Sequence, residues 1–116
     1  MKMITIYHNP RCKKSRAGLQ YLQEKEIPHM VMEYLKTPLS KEIIARLLLK
    51  LNKKPNEIIR TQEEIYRKEL KGKSFTDEEW IKIIIENPKL LQRPLVESKY
   101  RAVVADPPEK IDELDL

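Results

Sequence analysis

The sequence predicts an α/β fold in which a mixed sheet carries a long helical insertion. Three observations indicate this fold. The chain opens with a short apolar run typical of a buried strand, its middle shows helical spacing of apolar residues, and a hairpin-like segment follows near the end. The predicted order is β-α-β, a helical insertion over about residues 40–92, and then β-β-α. We expect one domain over residues 1–116, since no linker or repeat interrupts these elements.

Two strands, each an apolar run, and one helix between them are predicted in the first part of the chain. Met3–Tyr7 is apolar at nearly every position, which favours a buried strand in a parallel or mixed sheet. A helix is predicted over Ser15–Glu26, and one side of it carries Ala17, Leu19, Tyr21 and Leu22. His29–Leu35 is the predicted second strand. The single cysteine, Cys12, therefore falls in the loop between the first strand and the helix.

The middle of the chain has several helix signals. Ser40 can cap a helix whose apolar side consists of Ile44, Leu47, Leu48 and Leu51. Pro55 suits the first turn of a short helix that continues to Arg60. Thr76–Glu79 has the sequence of a capping box and precedes another apolar helix face. Lys89–Leu91 is expected to add one further turn after that helix.

The last predicted elements are a hairpin and a short helix. Pro94–Val104 has the pattern of two strands that turn near Ser98-Lys99. Asp106 is followed by two prolines and is predicted to cap a C-terminal helix. These elements complete the predicted α/β order.

Composition argues for a globular protein outside the membrane. Hydrophobic residues make up 41% of the chain and charged residues 35%, and no apolar run approaches the ~18 residues of a membrane span. One cysteine cannot form an internal disulfide, which favours a reducing compartment. We therefore expect a cytoplasmic protein.

The net charge of +5 is unevenly distributed. Residues 106–116 contain five acids and one lysine, which gives −4 and leaves +9 on the rest of the chain. A basic body attracts anions, among them nucleic acid. Aromatic residues are only 6% and do not alternate with basic ones, so the sequence argues against nucleic acid as a partner. The simpler interpretation is that most lysines keep helix surfaces solvated.

The stretch YHNPRCKKSR surrounds Cys12 with four basic residues: Arg11, Lys13, Lys14 and Arg16. A free thiol has a pKa of ~8.5, and nearby cations together with the start of a helix favour its ionised, nucleophilic form. The backbone N–H groups at a helix start can also bind an oxyanion. The alternative is that Cys12 is a small hydrophobic residue at the end of a strand. One cysteine and two histidines are too few for a zinc site, so no metal is expected.

Two neighbours of the thiol have alternative roles. His8 could stabilise the thiolate as an imidazolium or through a hydrogen bond, or it could end the strand with its ring facing water. Ser15 could cap the helix or donate its hydroxyl to the sulfur. The spacing from Cys12 to Ser15 is CxxS, so the sequence has no second cysteine for a redox pair. Redox chemistry at Cys12 would need a thiol from outside the chain, such as glutathione or a partner protein.

Three motifs together resemble the glutaredoxin-coupled arsenate reductase (ArsC) family, which includes the Spx-type regulators. They are ITIYHNPRCKKSR, the segment IIR that ends at Arg60, and LLQRPLV around Arg93-Pro94. The resemblance extends from Ile4 to about Pro107 with the motifs in the same order. It implies a thioredoxin-like fold with a helical insertion, which agrees with the element order predicted above.

The resemblance also implies roles for individual residues. Cys12 corresponds to the nucleophile, Arg60 and Arg93 to oxyanion-binding arginines, His8 to a histidine that lowers the thiol pKa, and Pro94 to a cis-proline beside the cysteine. An X-Pro bond can be cis at modest cost, and guanidinium groups suit tetrahedral oxyanions. Without the resemblance, both arginines would be interpreted as surface residues. Each follows apolar residues and is expected to project from the end of a helical turn.

The implied activity is arsenate reduction, with no tightly bound cofactor. Cys12 would attack arsenate, glutathione would serve as co-substrate, and glutaredoxin would release a mixed disulfide. One alternative is an Spx-like regulator that binds the alpha subunit of RNA polymerase, although such regulators often carry CxxC rather than CxxS. Another is a relative with a different thiol or disulfide substrate.

The sequence departs from the arsenate reductases at two places. Asp106-Pro107 stands where they have a further arginine before a proline, and an acid there removes one anion contact and adds repulsion. Arg101 and Lys99 are close enough in sequence to compensate. In addition, Lys13-Lys14 follows the cysteine in place of small residues.

Overall fold

The computed structural model describes residues 3–114, and the chain divides into two compact units. The first, the sheet unit, combines the chain up to Thr37 with the chain from Arg93 onward. The second, the helical unit, is Pro38–Gln92. The sheet unit is therefore assembled from segments near both ends of the sequence.

The described part of the sheet unit contains a four-stranded mixed sheet. Its strands are β1 Ile4–Tyr7, β2 His29–Met32, β3 Leu95–Glu97 and β4 Ala102–Val104, in the spatial order β2-β1-β3-β4. β1 and β2 are parallel, whereas β1–β3 and β3–β4 are antiparallel. The predicted mixed sheet and the predicted hairpin are confirmed.

One helix packs on this sheet and forms the core together with the sheet and the C-terminal segment. α1, Lys13–Glu24, buries the side of Ser15, Gly18 and Leu22. The core around it consists of Ile4, Ile6, Leu22, Val96, Ala105, Ile111 and Leu114. β1 is central in the sheet, which explains its nearly continuous apolar sequence.

The helical unit contains two helices with the predicted caps. α2 is Lys41–Leu51, and the Ser40 hydroxyl accepts a hydrogen bond from the Ile43 N–H at 3.1 Å. α3 is Asp77–Glu86, and Thr76 and Glu79 form the predicted capping box. Shorter helical turns occur at Pro55–Ile58, Tyr66–Leu70 and Pro88–Leu90, of which the second was not predicted.

Several boundaries differ from the prediction. α1 begins at Lys13 with Cys12 as its N-cap, and β2 ends at Met32 because the chain turns at Glu33, whose carbonyl accepts from the Lys36 N–H. The turn after Pro55 ends at Ile58, because Ile59 forms a β-bridge with Leu91. The expectation that the arginine after Ile59 projects from a helical turn was therefore wrong.

The C-terminal helix is short, as predicted, but its cap differs from the prediction. It is a 3₁₀ helix over Pro108–Glu113, and its N-cap is Pro107 rather than Asp106. The predicted capping role of Asp106 was wrong because its carboxylate forms an ion pair with Lys14 instead.

Candidate active site

The loop between β1 and α1 holds Cys12 at the start of the helix. The Cys12 N–H donates to the Asn9 carbonyl at 3.0 Å, and the Asn9 side chain accepts from the Arg11 N–H at 3.0 Å. Cys12 has an extended backbone, with φ −93° and ψ 124°, and its carbonyl accepts the Arg16 N–H at 3.0 Å. As the N-cap, Cys12 lies beside the N–H groups of the first turn, which have no partner within the helix. The thiol therefore has backbone donors within reach.

Burial shifts the pKa of the thiol in one direction, and four hydrogen-bonding and electrostatic effects shift it in the other. Burial raises the pKa of Cys12, but a hydrogen bond from Arg93, backbone hydrogen bonds from Ser15 and Lys14, and the charge of Arg93 bring the pKa below its ordinary value. A lower pKa increases the fraction of thiolate, the nucleophilic form. This environment favours a reactive thiol over a hydrophobic residue at a strand end.

Arg93 reaches the thiol because of the sheet topology. β1 and β3 are antiparallel with Tyr7 opposite Leu95, so the chain that leaves β1 and the chain that enters β3 lie at the same edge of the sheet. The Arg93-Pro94 peptide bond is cis, as the resemblance implied, and Pro94 is buried. Arg93 therefore lies at the entry to β3, directly before a buried proline.

Tyr34 is a neighbour of Arg93 that sequence reasoning missed. Burial acts to lower the pKa of Arg93, but hydrogen bonds with Cys12 and Tyr34 and their charges raise it above the ordinary value. Tyr34 is only 1% exposed and lies just beyond β2. Because β2 is parallel to β1, residues that follow the two strands lie at the same edge of the sheet. That rule was the signal that could have identified Tyr34.

His8, Ser15 and Asn9 form a buried hydrogen-bonded cluster beside the thiol. His8 Nδ1 lies 2.7 Å from Ser15 Oγ, and Ser15 Oγ accepts the Asn9 N–H at 2.9 Å. His8 is 5% exposed, so the alternative of a ring facing water was wrong. Ser15 is in the first turn of α1, where its hydroxyl fixes the loop, so the capping alternative was wrong as well.

The charge of His8 follows from this burial. Burial lowers the pKa of His8 and the charge of Arg16 acts in the same direction, while Glu33 and a backbone hydrogen bond with Ser15 oppose them. The net result is a pKa below the ordinary value, which favours the neutral ring at neutral pH. A hydrogen-bonding role therefore fits His8 better than the imidazolium alternative.

Arg60 belongs to the helical unit. Its N–H donates to the Leu90 carbonyl at 2.7 Å, next to the bridge between Ile59 and Leu91. Its Nε lies 3.3 Å from an oxygen of Glu63, and both side chains are largely buried. The other predicted site residues, Cys12, His8, Ser15, Arg93 and Pro94, all lie in the sheet unit.

The basic residues next to Cys12 are all exposed. Arg16 donates from Nη1 to the Pro10 carbonyl at 3.0 Å, and Lys14 Nζ lies 3.0 Å from Asp106 Oδ2. The side-chain charge that lowers the thiol pKa is instead that of Arg93. The predicted effect of the adjacent cations on the sulfur stays a prediction, and their exposure to water weakens it.

Lys14 also neutralises Asp106, the acid that stands where the resemblance implies an arginine. The two residues named above as possible compensation for Asp106 have other contacts. Arg101 donates from Nη1 to the Glu113 carbonyl at 3.1 Å, and Lys99 Nζ lies 5.2 Å from the ring centroid of Tyr100.

Within residues 3–114, no group of three or more histidine, cysteine, aspartate or glutamate side chains is arranged to hold a metal ion. No helix in the same range combines the length and the hydropathy that a membrane crossing requires.

Comparison with known proteins gives the same family at every level. A model of the ArsC family matches residues 7–114. The uncharacterized protein YfgD of Escherichia coli K12 is 36% identical over 115 residues, 97% of each chain, and an arsenate reductase of Neisseria meningitidis serogroup B is 33% identical over 114 residues, also 97% of each. The structure of an arsenate reductase from Vibrio cholerae superposes with a TM-score of 0.91 at 35% identity and covers 97% of both chains.

Proposed function

The chain belongs to the ArsC family, and on that premise we propose that it is a thiol-dependent oxidoreductase of the arsenate reductase type. The observation that carries the proposal is the hydrogen bond between the Arg93 guanidinium and the Cys12 sulfur at the N-terminus of α1. This contact lowers the thiol pKa and provides a cation for an oxyanion beside the nucleophile. Relatives named arsenate reductase support arsenate as that oxyanion.

The first chemical step is attack of the Cys12 thiolate on arsenic. The sulfur–arsenic bond forms, and one hydroxyl group of the protonated arsenate takes up a proton and leaves as water, so arsenic stays in the +5 state. The Arg93 guanidinium offers paired N–H donors to the remaining oxygens. The N–H groups of the first turn of α1 add donors where negative charge accumulates.

The second step transfers electrons and uses glutathione. The glutathione thiolate attacks the Cys12 sulfur, a disulfide forms between the two, and arsenic leaves with the electron pair of the sulfur–arsenic bond as arsenite in the +3 state. A second glutathione, delivered through glutaredoxin, then attacks the mixed disulfide and releases Cys12 with oxidised glutathione. Two thiols lose the two electrons that arsenic gains. Glutathione is a co-substrate in this scheme, and no tightly bound cofactor takes part.

The remaining site residues have supporting roles in the proposal. His8 and Ser15 keep the loop in the conformation that aims the backbone N–H groups at the sulfur. Pro94 fixes the position of Arg93 in the chain. Arg60 is proposed as a second oxyanion-binding arginine on the resemblance alone.

The test is arsenate-dependent oxidation of NADPH in the presence of glutathione, glutaredoxin and glutathione reductase. We expect turnover with the wild-type protein and none with Cys12→Ser, which keeps the size of the side chain but removes the nucleophile. Turnover that persists in Cys12→Ser would contradict the mechanism. Absence of turnover in both would contradict arsenate as the substrate.

A second candidate function is favoured by one observation. Asp106 and Lys14 form an ion pair where the reductases carry an arginine, so this site has fewer cations available for a highly charged oxyanion. A relative that exchanges disulfides with glutathionylated substrates would need the thiolate but not that arginine. Release of glutathione from a glutathionylated peptide by the wild-type protein, without turnover of arsenate, would favour this candidate.

A further inference from the structure

An ion pair connects the helix of the candidate active site with the segment that follows β4. Lys14 Nζ lies 3.0 Å from Asp106 Oδ2, and the two side chains are 55% and 42% exposed. Lys14 is the second residue of α1, and its backbone N–H is one of the donors to the Cys12 sulfur. The pair therefore lies within one helical turn of the thiol.

The pairing of β3 with β4 also relates the position of Asp106 to that of Arg93. The Ala105 N–H donates to the Pro94 carbonyl at 2.9 Å, which continues the pairing of β3 with β4. Asp106 follows Ala105, and Arg93 precedes Pro94. These two charged residues therefore come next along the two paired segments. A carboxylate released from its ion pair at this position would attract the Arg93 guanidinium, which is also the donor to Cys12.

From this arrangement we propose that Lys14 is a positioning residue, which engages the Asp106 carboxylate and so leaves the Arg93 guanidinium directed at Cys12 and its oxyanion. The inference rests on the proposed function only in that Cys12 is taken as the reacting thiol. Without Lys14, the carboxylate would compete with the sulfur for Arg93 and would repel an incoming anion. Lys14 and Asp106 thus form a matched pair, in which each side chain compensates the charge of the other beside the thiol.

The direct test is a pH titration of the Cys12 thiolate, followed by its ultraviolet absorbance, in a double-mutant cycle. We expect Lys14→Gln to raise the thiol pKa by about half a pH unit, because the Asp106 carboxylate then adds one uncompensated charge that competes for Arg93. Asp106→Asn should lower the thiol pKa. The double variant should return close to the wild-type value, because neither charge remains. The other charged or titratable groups around the thiol are unchanged in all three variants: Arg93, Tyr34, His8, Glu33, Arg11, Lys13 and Arg16.

Two controls separate positioning from general effects. Lys25→Gln removes the same charge at the opposite end of α1, which spans 12 residues, and should leave the thiol pKa unchanged. Lys14→Arg keeps the cation and should restore the wild-type titration. A purely structural role would change the thermal stability of Lys14→Gln but not its thiol pKa.

A second readout reports on the anion. Inorganic arsenate should slow alkylation of Cys12 by iodoacetamide, and we expect about a threefold higher arsenate concentration for half protection in Lys14→Gln, in line with a half-unit change in pKa. An unchanged thiol pKa in Lys14→Gln, or an equal rise in the single and double variants, would overturn the inference. The titration requires no turnover, so a failure of the proposed arsenate reduction would leave its result intact.

Discussion

The electrostatics of Cys12 depend on a residue that is distant in the sequence. Four cations flank the cysteine between positions 11 and 16, yet the side chain that lowers its pKa is Arg93. Hydrogen-bond geometry accounts for this, because a guanidinium in contact with the sulfur stabilises the thiolate far more than exposed charges screened by water. Closeness in sequence was therefore a poor guide to which cation matters.

Removal of the Arg93 guanidinium should raise the thiol pKa. In Arg93→Gln the hydrogen bond and the charge are lost while burial still disfavours the thiolate, so we expect a rise of about one pH unit. Titration of the thiolate absorbance measures it. Arg11→Gln is the matched control, because it removes the same charge one residue from Cys12. An equal rise in both variants would show that the contact with Arg93 is not the cause.

The buried His8 should make stability depend on pH. Burial and Arg16 keep the pKa of His8 below its ordinary value, against the effects of Glu33 and Ser15. The unfolded chain, with a histidine pKa of ~6.5, therefore binds the proton more readily than the folded protein. The free energy of unfolding should therefore be greatest above the histidine pKa of the unfolded chain. It should decline as the pH falls from there through the lower pKa of His8 in the folded protein.

Urea unfolding at about pH 5 and about pH 8 tests this effect. We expect His8→Gln to lose less stability between the two pH values than the wild-type protein. His29→Gln is the control, since the His29 ring is only partly buried and contacts the Ile27 carbonyl at 2.7 Å. If His29→Gln reduces the pH dependence just as much, His8 is not its source.

Single residues also show where prediction from sequence reached its limit. Cys12, Arg93 and Pro94 were identified from motifs, and the structure brings them together in the sheet unit. The capping roles expected for Ser15 and Asp106 were wrong, since each side chain pairs with a residue from another element, His8 and Lys14 respectively. Partners of this kind follow from the tertiary fold and leave no trace in local sequence.

At the scale of elements, local signals predicted the helices of the helical unit well. Ser40 and Thr76 accept hydrogen bonds from residues three positions further on, so their caps depend only on neighbouring sequence. β2 was predicted three residues too long because Tyr34 and Leu35 continue an apolar pattern. In the structure Tyr34 turns into the core beyond the end of the strand, where it contacts Arg93.

The contact between α1 and Pro94 requires a glycine. A Cβ at Gly18 would lie 2.7 Å from Pro94 Cγ and 3.7 Å from Ile6 Cδ1. The proline ring is rigid and cannot rotate away, so the helix would have to move from the sheet. Gly18 was not identified from the sequence, because nothing local to it shows that Pro94 packs there.

Gly18→Ala should therefore destabilise the protein. Overpacking costs about 1–3 kcal/mol, and the higher helix propensity of alanine offsets up to about 1 kcal/mol of it. We expect a lower urea midpoint together with a higher thiol pKa, because displacement of Pro94 also shifts Arg93. Gln20→Ala, at an exposed position of the same helix, controls for propensity. Equal stability of the two variants would contradict the packing argument.

At the scale of the whole molecule, the site depends on pairing between the two ends of the chain. β1 pairs with β3, which places Tyr7 opposite Leu95 across 88 residues of sequence and joins the cysteine loop to Arg93. The order of elements made a mixed sheet predictable. The register of this pairing was not predictable, because it follows from the joint burial of β1, β3 and α1 rather than from any one segment.

The presence of one cysteine in the whole chain limits how Cys12 can be oxidised. No second thiol can close a disulfide within the molecule, so a thiolate that attacks a disulfide must keep the incoming thiol as a mixed disulfide. Oxidised glutathione should therefore add one glutathionyl group per chain, with release of one glutathione, and glutaredoxin should remove it. Intact-mass spectrometry measures both steps, and Cys12→Ser should remain unmodified. No mass increase, or a predominant disulfide-linked dimer, would contradict this prediction, because either result would mean that the site does not keep glutathione as its second thiol.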